Sequence, residues 1–513
     1  MALQPRFILM WLFAEVTFGQ SPKDAPPDVT FRTGVRAVQV SVIAQDAQGR
    51  PVADLRREEF LLFDNEVRQE VRLFVPETAA FEPVVPKAKA ATAFTNRSAQ
   101  PSGPQSGYSV ILIDNLFADF ADPNQGEEGS GLARVQVLRM LRTMSPNERI
   151  AIYATGRKLQ VICEFTSDRD LLERQLRKWT ASPDILPHSV GVAAFPSHPP
   201  GQSPLSPPGM GGPNGDEVAE ARRIDSLQRA AASDAEMLLV ADHLAGIPGR
   251  KNLIWVSNRF VIGPRAIQGL GNAGISIYPV DMDGVCRLCP PRPTDTMDAL
   301  AALTGGKAYY HRNDIDVAIQ EAIDDGRVSY TLGFYRSDDD DGNPVHEITV
   351  RVSRPGVVLR YRNSYLSEPR PPLSGPGRAE LARALNRPID ATAIPIEVSA
   401  TRDRGRLDLA AALDVKALDL EVESGVWEGT VEFVARFVTA DGIIASAVIA
   451  KTLRVNLRQP SYDSALETGL VFHEQLQIPP KAAELKLLFS NPASQKIGTL
   501  TIPVSKVPKS TRR

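Results

Sequence analysis

Oxygen-bearing side chains crowd one stretch of this chain. Asp114, Asp119, Asp122, Asn124, Glu127 and Glu128 follow directly on an apolar run. Such a density of oxygens suits a hard cation, Ca²⁺ more readily than Mg²⁺. The spacing is not that of an EF-hand, and a solvated acidic loop is the simpler reading. Asp114, the first of the group, has the place of a residue that caps the following loop by accepting backbone N–H groups. A second acidic run at residues 338–341 reads as a solvated turn.

Other reactive groups are sparse. Cys286-Arg287-Leu288-Cys289 is a lone C-x-x-C with no second pair and no nearby His, which argues against zinc. Pro290 and Pro291 exclude the helix that a thioredoxin-type site needs. In an oxidising compartment this pair makes a local disulfide. Cys163 lies in a strand pattern and reads as a buried thiol. The six histidines, 188, 198, 243, 311, 346 and 473, are scattered. No G-x-S-x-G, H-E-x-x-H or phosphate loop is present, so no catalytic residue is assigned. His243, beside Asp242 on a helical pattern, reads as a surface or capping residue. Trp255 reads as core. Trp427 reads as core rather than as an exposed sugar platform.

Composition narrows the partner class. With 58 Lys+Arg against 61 Asp+Glu, and no basic block, nucleic acid is excluded as the expected partner. The 513 residues are enough for about three or four domains, and 43% hydrophobic content is that of a globular chain. Residues 1–20 read as a signal peptide: Arg6, an apolar run over residues 7–13 and a small-residue end at Thr17-Phe18-Gly19. The run is too short to span a bilayer, and no later segment is long enough, so an exported protein of the periplasm or exterior is expected.

The elements that must position these groups fall into blocks. Residues 31–76 alternate as short strands of a small β-sandwich, and residues 328–366 are expected to complete it. Residues 77–107 and 367–389 read as linkers. Between them, residues 108–327 alternate strand and helix, the pattern of a doubly wound α/β domain. Its helix face is expected at Leu132, Val135, Leu138 and Leu141. Ser167 with Asp170 is expected to form a capping box, and Asp314 to cap a later helix. Residues 181–215 form a Pro/Gly-rich loop. Residues 390–508 read as a C-terminal all-β sandwich.

These residues carry a resemblance. The strand at 109–113 ending in Asp114, the following helix, the hairpin over 150–162 and Phe165-Thr166-Ser167-Asp168 resemble a von Willebrand factor type A domain. The strands at 253–257 and 275–280 fit its later central strands. The stretch 31–366 is similar, more narrowly, to the VWFA-related proteins of acidobacteria, through Gly49-Arg50-Pro51-Val52, residues 60–64 and the tail from Thr304-Gly305-Gly306 to residues 330–335. The resemblance implies an adhesion-type domain that grips ligands through a divalent metal at the strand ends. The family pattern Asp-x-Ser-x-Ser is broken here, since Leu116 and Ala118 stand at the Ser positions. Ser257 and Asn258 stand where a second Asp is usual. What remains is a degenerate site of Asp114, Thr166 and Ser257, with Mg²⁺ or Ca²⁺ no more than a minor expectation and no other cofactor. Asp114, Asn115, Asp119 and Asn258 would make a binding face. The implied function is an exported, non-enzymatic interaction protein with a protein or cell-envelope ligand. The alternatives are a purely structural envelope protein or a secreted hydrolase with an accessory β-sandwich.

Overall fold

The structure, a computed structural model, describes residues 36–77, 93–97, 107–116, 126–180 without Asn147 and Arg157, 215–282 without Pro248, 294–336, 344–366, 381, 384–385, and 387–509 without Ser424. The signal-peptide reading, Asp119, Asp122, Asn124, the Cys286–Cys289 pair and the acidic run at 338–341 lie outside the described residues.

The first unit takes its strands from both sides of the α/β domain. β1 (Arg36–Gln45), β2 (Phe60–Asp64), β3 (Val67–Gln69) and β4 (Leu73–Glu77) precede that domain; β11 (Ser329–Arg336), β12 (Val345–Val352), β13 (Val358–Tyr361) and β14 (Ser364–Leu366) follow it. They make two four-stranded sheets, β13-β1-β11-β4 and β14-β12-β2-β3. The period of two sends Val38, Val40 and Val42 inward from β1. There they meet Leu62, Tyr330, Leu332, Ile348 and Val350 in one core.

The α/β domain contains β6 (Tyr108–Ile113), α1 (Gly126–Leu141), β7 (Arg149–Ala154), β8 (Gln160–Thr166), α2 (Arg169–Lys178), α3 (Gly215–Leu244), β9 (Lys251–Ser257), α4 (Pro264–Asn272), β10 (Ile275–Asp281), α5 (Asp295–Thr304) and α6 (Ile315–Asp324). The sheet runs β10-β9-β6-β7-β8, parallel except for β8, which is antiparallel to β7. Every residue of β6, β7 and β9 is buried, as a sheet covered on both faces demands. Ile111, Ile113 and Ile152 face α1, α2 and α6. Val110, Leu112, Tyr153 and Trp255 face α3, α4 and α5. Gly305 closes α5 in the left-handed region (φ 77°), where a Cβ would lie 2.8 Å from the Arg362 nitrogen.

Three local expectations change. The buried stripe of α1 is Ala133, Val137, Met140 and Leu141, whereas Leu132 and Val135 are exposed. A row spaced by three drifts around a helix of 3.6 residues per turn, and a 4-3-1 spacing stays on one face. The cap of α2 is Asp168, which accepts from the Leu171 nitrogen at 3.0 Å, not a box of Ser167 and Asp170. Asp314 stands at the start of α6 but gives its carboxylate to Arg312 instead of a backbone N–H.

The last unit begins inside a presumed linker. β5 (Ala93–Thr95) joins the edge of β15 (Ile396–Asp403), which pairs with β16 (Arg406–Leu413). Three residues are too few to show alternation in sequence. Beyond them come β17 (Glu421–Glu423), β18 (Val426–Val438), β19 (Ile449–Arg458), α7 (Gln459–Thr468), β20 (Leu470–Gln477), β21 (Glu484–Ser490) and β22 (Ile497–Pro503). The sheets β20-β16-β15-β5 and β17-β18-β21-β22, with β19 on β18, share a core that includes Val398, Leu409, Phe433, Leu487 and Phe489. The 367–389 linker ends in packed residues: Leu381, Ala384 and Leu385 bury against Val434 and Leu488. Three buried residues are too few to register in a periodicity window.

Asn96 fastens β5. Its Nδ2 donates to the carbonyls of Ala391 (2.8 Å) and Ile394 (3.0 Å), and its Oδ1 accepts from the Ile396 nitrogen (2.8 Å). Asn96→Ala leaves these buried groups unpaired and is expected to destabilise the chain by about 2 kcal/mol, read as a shift in the urea midpoint.

Candidate functional site

Asp114, Thr155 and Ser257 come together at the carboxyl ends of three adjacent parallel strands. The register explains it. Ile113 pairs with Ala154 on β7 and with Val256 on β9, so the next residue of each strand falls in one row. The same period of two that turns Leu112, Tyr153 and Trp255 toward α3 turns Asp114, Thr155 and Ser257 that way as well. The Asp114 nitrogen donates to the Val256 carbonyl, and the Thr155 nitrogen to that of Ile113, each at 3.0 Å.

The carboxylate is fully engaged by its own chain. Oδ1 accepts from the Thr155 hydroxyl (2.7 Å) and the Leu116 nitrogen (2.9 Å). Oδ2 accepts from the Ser257 hydroxyl (2.7 Å) and the Trp255 indole N–H (3.1 Å). A carboxylate has about four lone-pair sites, and four donors fill them. Asp114 is 6% exposed. Burial pushes its carboxyl above the ordinary range, while the donors from Thr155, Ser257, Leu116 and Trp255 pull against that. Ser257 Oγ also lies 2.6 Å from the Arg259 carbonyl and accepts from the Arg259 nitrogen at 3.1 Å.

Neighbours tighten the mouth. Asn115 donates from its backbone to Thr155 Oγ1 (2.9 Å) and from Nδ2 to the Thr155 carbonyl (3.0 Å). From α3, Arg229 donates to the Leu116 carbonyl at 2.6 Å, and Glu236 accepts from the Gly156 nitrogen at 3.3 Å. Asp114 and Asn115 are both buried, so they do not present the binding face expected of them. Asn258 is half-buried at the same end.

Thr166 is elsewhere. β8 runs against β7, and Thr166 pairs with Ile150 at the start of that strand, the opposite end of the sheet from Asp114. Its hydroxyl accepts from the Asp168 nitrogen at 3.0 Å, in the turn before α2. The hydroxyl that serves Asp114 is Thr155, which the sequence reading missed. Its signal was available, because Thr155 directly follows the apolar run of the neighbouring strand. Trp255 is core, as expected, but its N–H is also a donor to Asp114. His243 is buried, not at the surface. Cys163 is buried with a free thiol, and burial raises its pKa. Trp427 is half-buried and stacks on Tyr462 with centroids 3.8 Å apart. Among the described residues, no group of three His, Cys, Asp or Glu side chains could hold a metal. No helix among them is long and apolar enough to cross a membrane.

No family model and no curated protein matches this chain. Solved structures do. An aerotolerance-related membrane protein from Bacteroides fragilis is 12% identical over 42% of this chain and 99% of its own, with a TM-score of 0.25. The conserved hypothetical protein BatB from Bacteroides thetaiotaomicron is 12% identical over 43% and 97%, with a TM-score of 0.26. The vWF domain of the type V pili tip protein Mfa5 from Porphyromonas gingivalis is 14% identical over 31% and 41%, with a TM-score of 0.17. The α/β unit itself is a five-stranded sheet, parallel but for β8, with helices on both faces. Likeness at this level carries nothing about ligand or activity. At the mouth of the α/β unit an acid is held by hydroxyl, indole and amide donors.

Proposed function

We propose that the protein is an exported, non-enzymatic interaction protein whose type A-related domain has lost the metal chemistry of its strand-end site. The observation that carries this reading is the Asp114 carboxylate, whose lone pairs are taken by Thr155, Leu116, Ser257 and Trp255. A hard cation takes about six oxygens, and one or two carboxylates must supply its charge. Here a single carboxylate would have to surrender buried hydrogen bonds to bind it. The mouth then works as a structural lock, and partner contacts fall to other surfaces of the chain. Export rests on the apolar run near the N-terminus.

Calorimetric titration of the full chain with Mg²⁺ and with Ca²⁺ tests the reading. No heat is expected up to millimolar ion. Micromolar binding that disappears in Asp114→Ala would overturn it.

A further inference from the structure

The C-terminal end of α3 is where the last β unit meets the type A-related domain. Thr392 sews the two together: its nitrogen donates to the Asp242 carbonyl (3.0 Å), and its hydroxyl donates to the His243 carbonyl (2.6 Å) and accepts from the Gly246 nitrogen (2.8 Å). Arg387 pairs with the Asp242 carboxylate. In the middle of this seam sits His243, 6% exposed.

Both ring nitrogens of His243 face acceptors. Nδ1 lies 2.6 Å from the carbonyl oxygen of Asp390, in the C-terminal segment. Nε2 lies 3.3 Å from Glu164 Oε1 on β8. A carbonyl can only accept, so Nδ1 must carry a hydrogen. A neutral imidazole has just one N–H and would then turn a lone pair toward the carboxylate. The imidazolium donates from Nδ1 to the Asp390 carbonyl and sets its positive charge 3.3 Å from the Glu164 carboxylate as an ion pair.

The surrounding charges are accounted for. From β7, Tyr153 donates to Glu164 Oε2 (3.2 Å) and sets its ring edge-on to the imidazole, centroids 6.0 Å apart. The Asp390 carboxylate is taken by Thr499 and Thr501. Asp242 on α3 is neutralised by Arg387. Glu164 is thus the carboxylate that faces the ring.

We propose that protonated His243 is a clamp fastening the C-terminal β unit to the type A-related domain, and that the joint loosens when the ring loses its proton. Burial pulls the His243 proton off, but the Glu164 carboxylate paired with it, helped by the Asp390 carbonyl, holds it above the ordinary histidine range. Glu164, half-exposed on β8, is correspondingly held below the ordinary carboxylate range, the partial desolvation that raises it being outweighed by His243 and the Tyr153 hydroxyl. A group whose folded pKa is raised contributes stability that is complete below the unfolded value, about 6.5 for histidine, and is lost as pH rises through the folded value. The clamp is therefore closed in mild acid and opens on the alkaline side.

Hydrogen exchange of the full chain tests this, with amide protection of residues 389–394 followed from about pH 6 to about pH 9 after correction for intrinsic rates. The parent is expected to lose protection several-fold as the pH rises across that range, because the folded ring holds its proton more tightly than the unfolded one. His243→Gln should show low, pH-independent protection. Glu164→Gln should move the loss to lower pH. Constant protection in the parent, or the same fall in His243→Gln, would overturn the clamp. If His243→Gln does not fold, Glu164→Gln decides alone, and an unshifted transition in it sinks the proposal.

Discussion

Asp114→Ala is expected to destabilise the chain by about 3 kcal/mol, because it strands several buried donors at once. The Thr155 and Ser257 hydroxyls, the Trp255 indole N–H and the Leu116 nitrogen all point at the lost carboxylate. The two hydroxyls can rotate to other acceptors, but the indole and the amide cannot. Trp255 is fully buried in the sheet and has no route to water. Asp114→Asn is expected to cost less, about 1–2 kcal/mol, since one oxygen still accepts while the new NH₂ meets a donor. Urea unfolding with and without EDTA distinguishes this from a metal site. Both parent and variant should have midpoints that ignore EDTA. A variant as stable as the parent would refute the structural role. So would a parent that Mg²⁺ stabilises and EDTA returns to the stability of the variant.

Arg250→Ala is expected to have the larger effect, about 4 kcal/mol, because Arg250 joins the first β unit to the α/β domain from a buried position. Its guanidinium donates to Asn252 (3.2 Å), Ser41 of β1 (3.3 Å), the Tyr278 hydroxyl (2.9 Å) and the Gly305 carbonyl (2.7 Å). Tyr278 in turn donates to Asp325 at 2.6 Å, and Asp325 is held from the first unit by Gln45 (3.2 Å) and Arg360. Truncation opens a void and leaves acceptors on both sides of the seam unpaired. Arg250→Lys should recover less than half of the loss, since a single ammonium cannot reach a fork of divergent partners. Chemical denaturation measures both variants. A loss under about 1 kcal/mol for Arg250→Ala would show that the seam is held by its apolar packing instead.

The α/β pattern of residues 108–327 is legible because burial on both faces forces continuous apolar runs, and β6, β7 and β9 have them. The face of α1 is not legible in the sequence, because Leu132 and Val135 look as apolar as Ala133 and Val137 until the neighbours of each are known. β5 was invisible for a different reason. Its three residues are specified by the free edge of β15 and by Asn96, both set by residues about three hundred positions away.

The choice of threonine separates the two kinds of information most sharply. Local pattern placed an acid after one buried strand and hydroxyls after others, since hydrophobic periodicity decides where a strand ends and which face each side chain takes. It did not decide strand direction. Thr155 and Thr166 both close apolar strands, but β7 runs parallel to β6 and β8 runs back. Direction comes from long-range pairing, and that pairing put one hydroxyl 2.7 Å from Asp114 and the other at the far end of the sheet. Whether the acid faces water or a ring of donors was therefore settled only by the assembled tertiary structure.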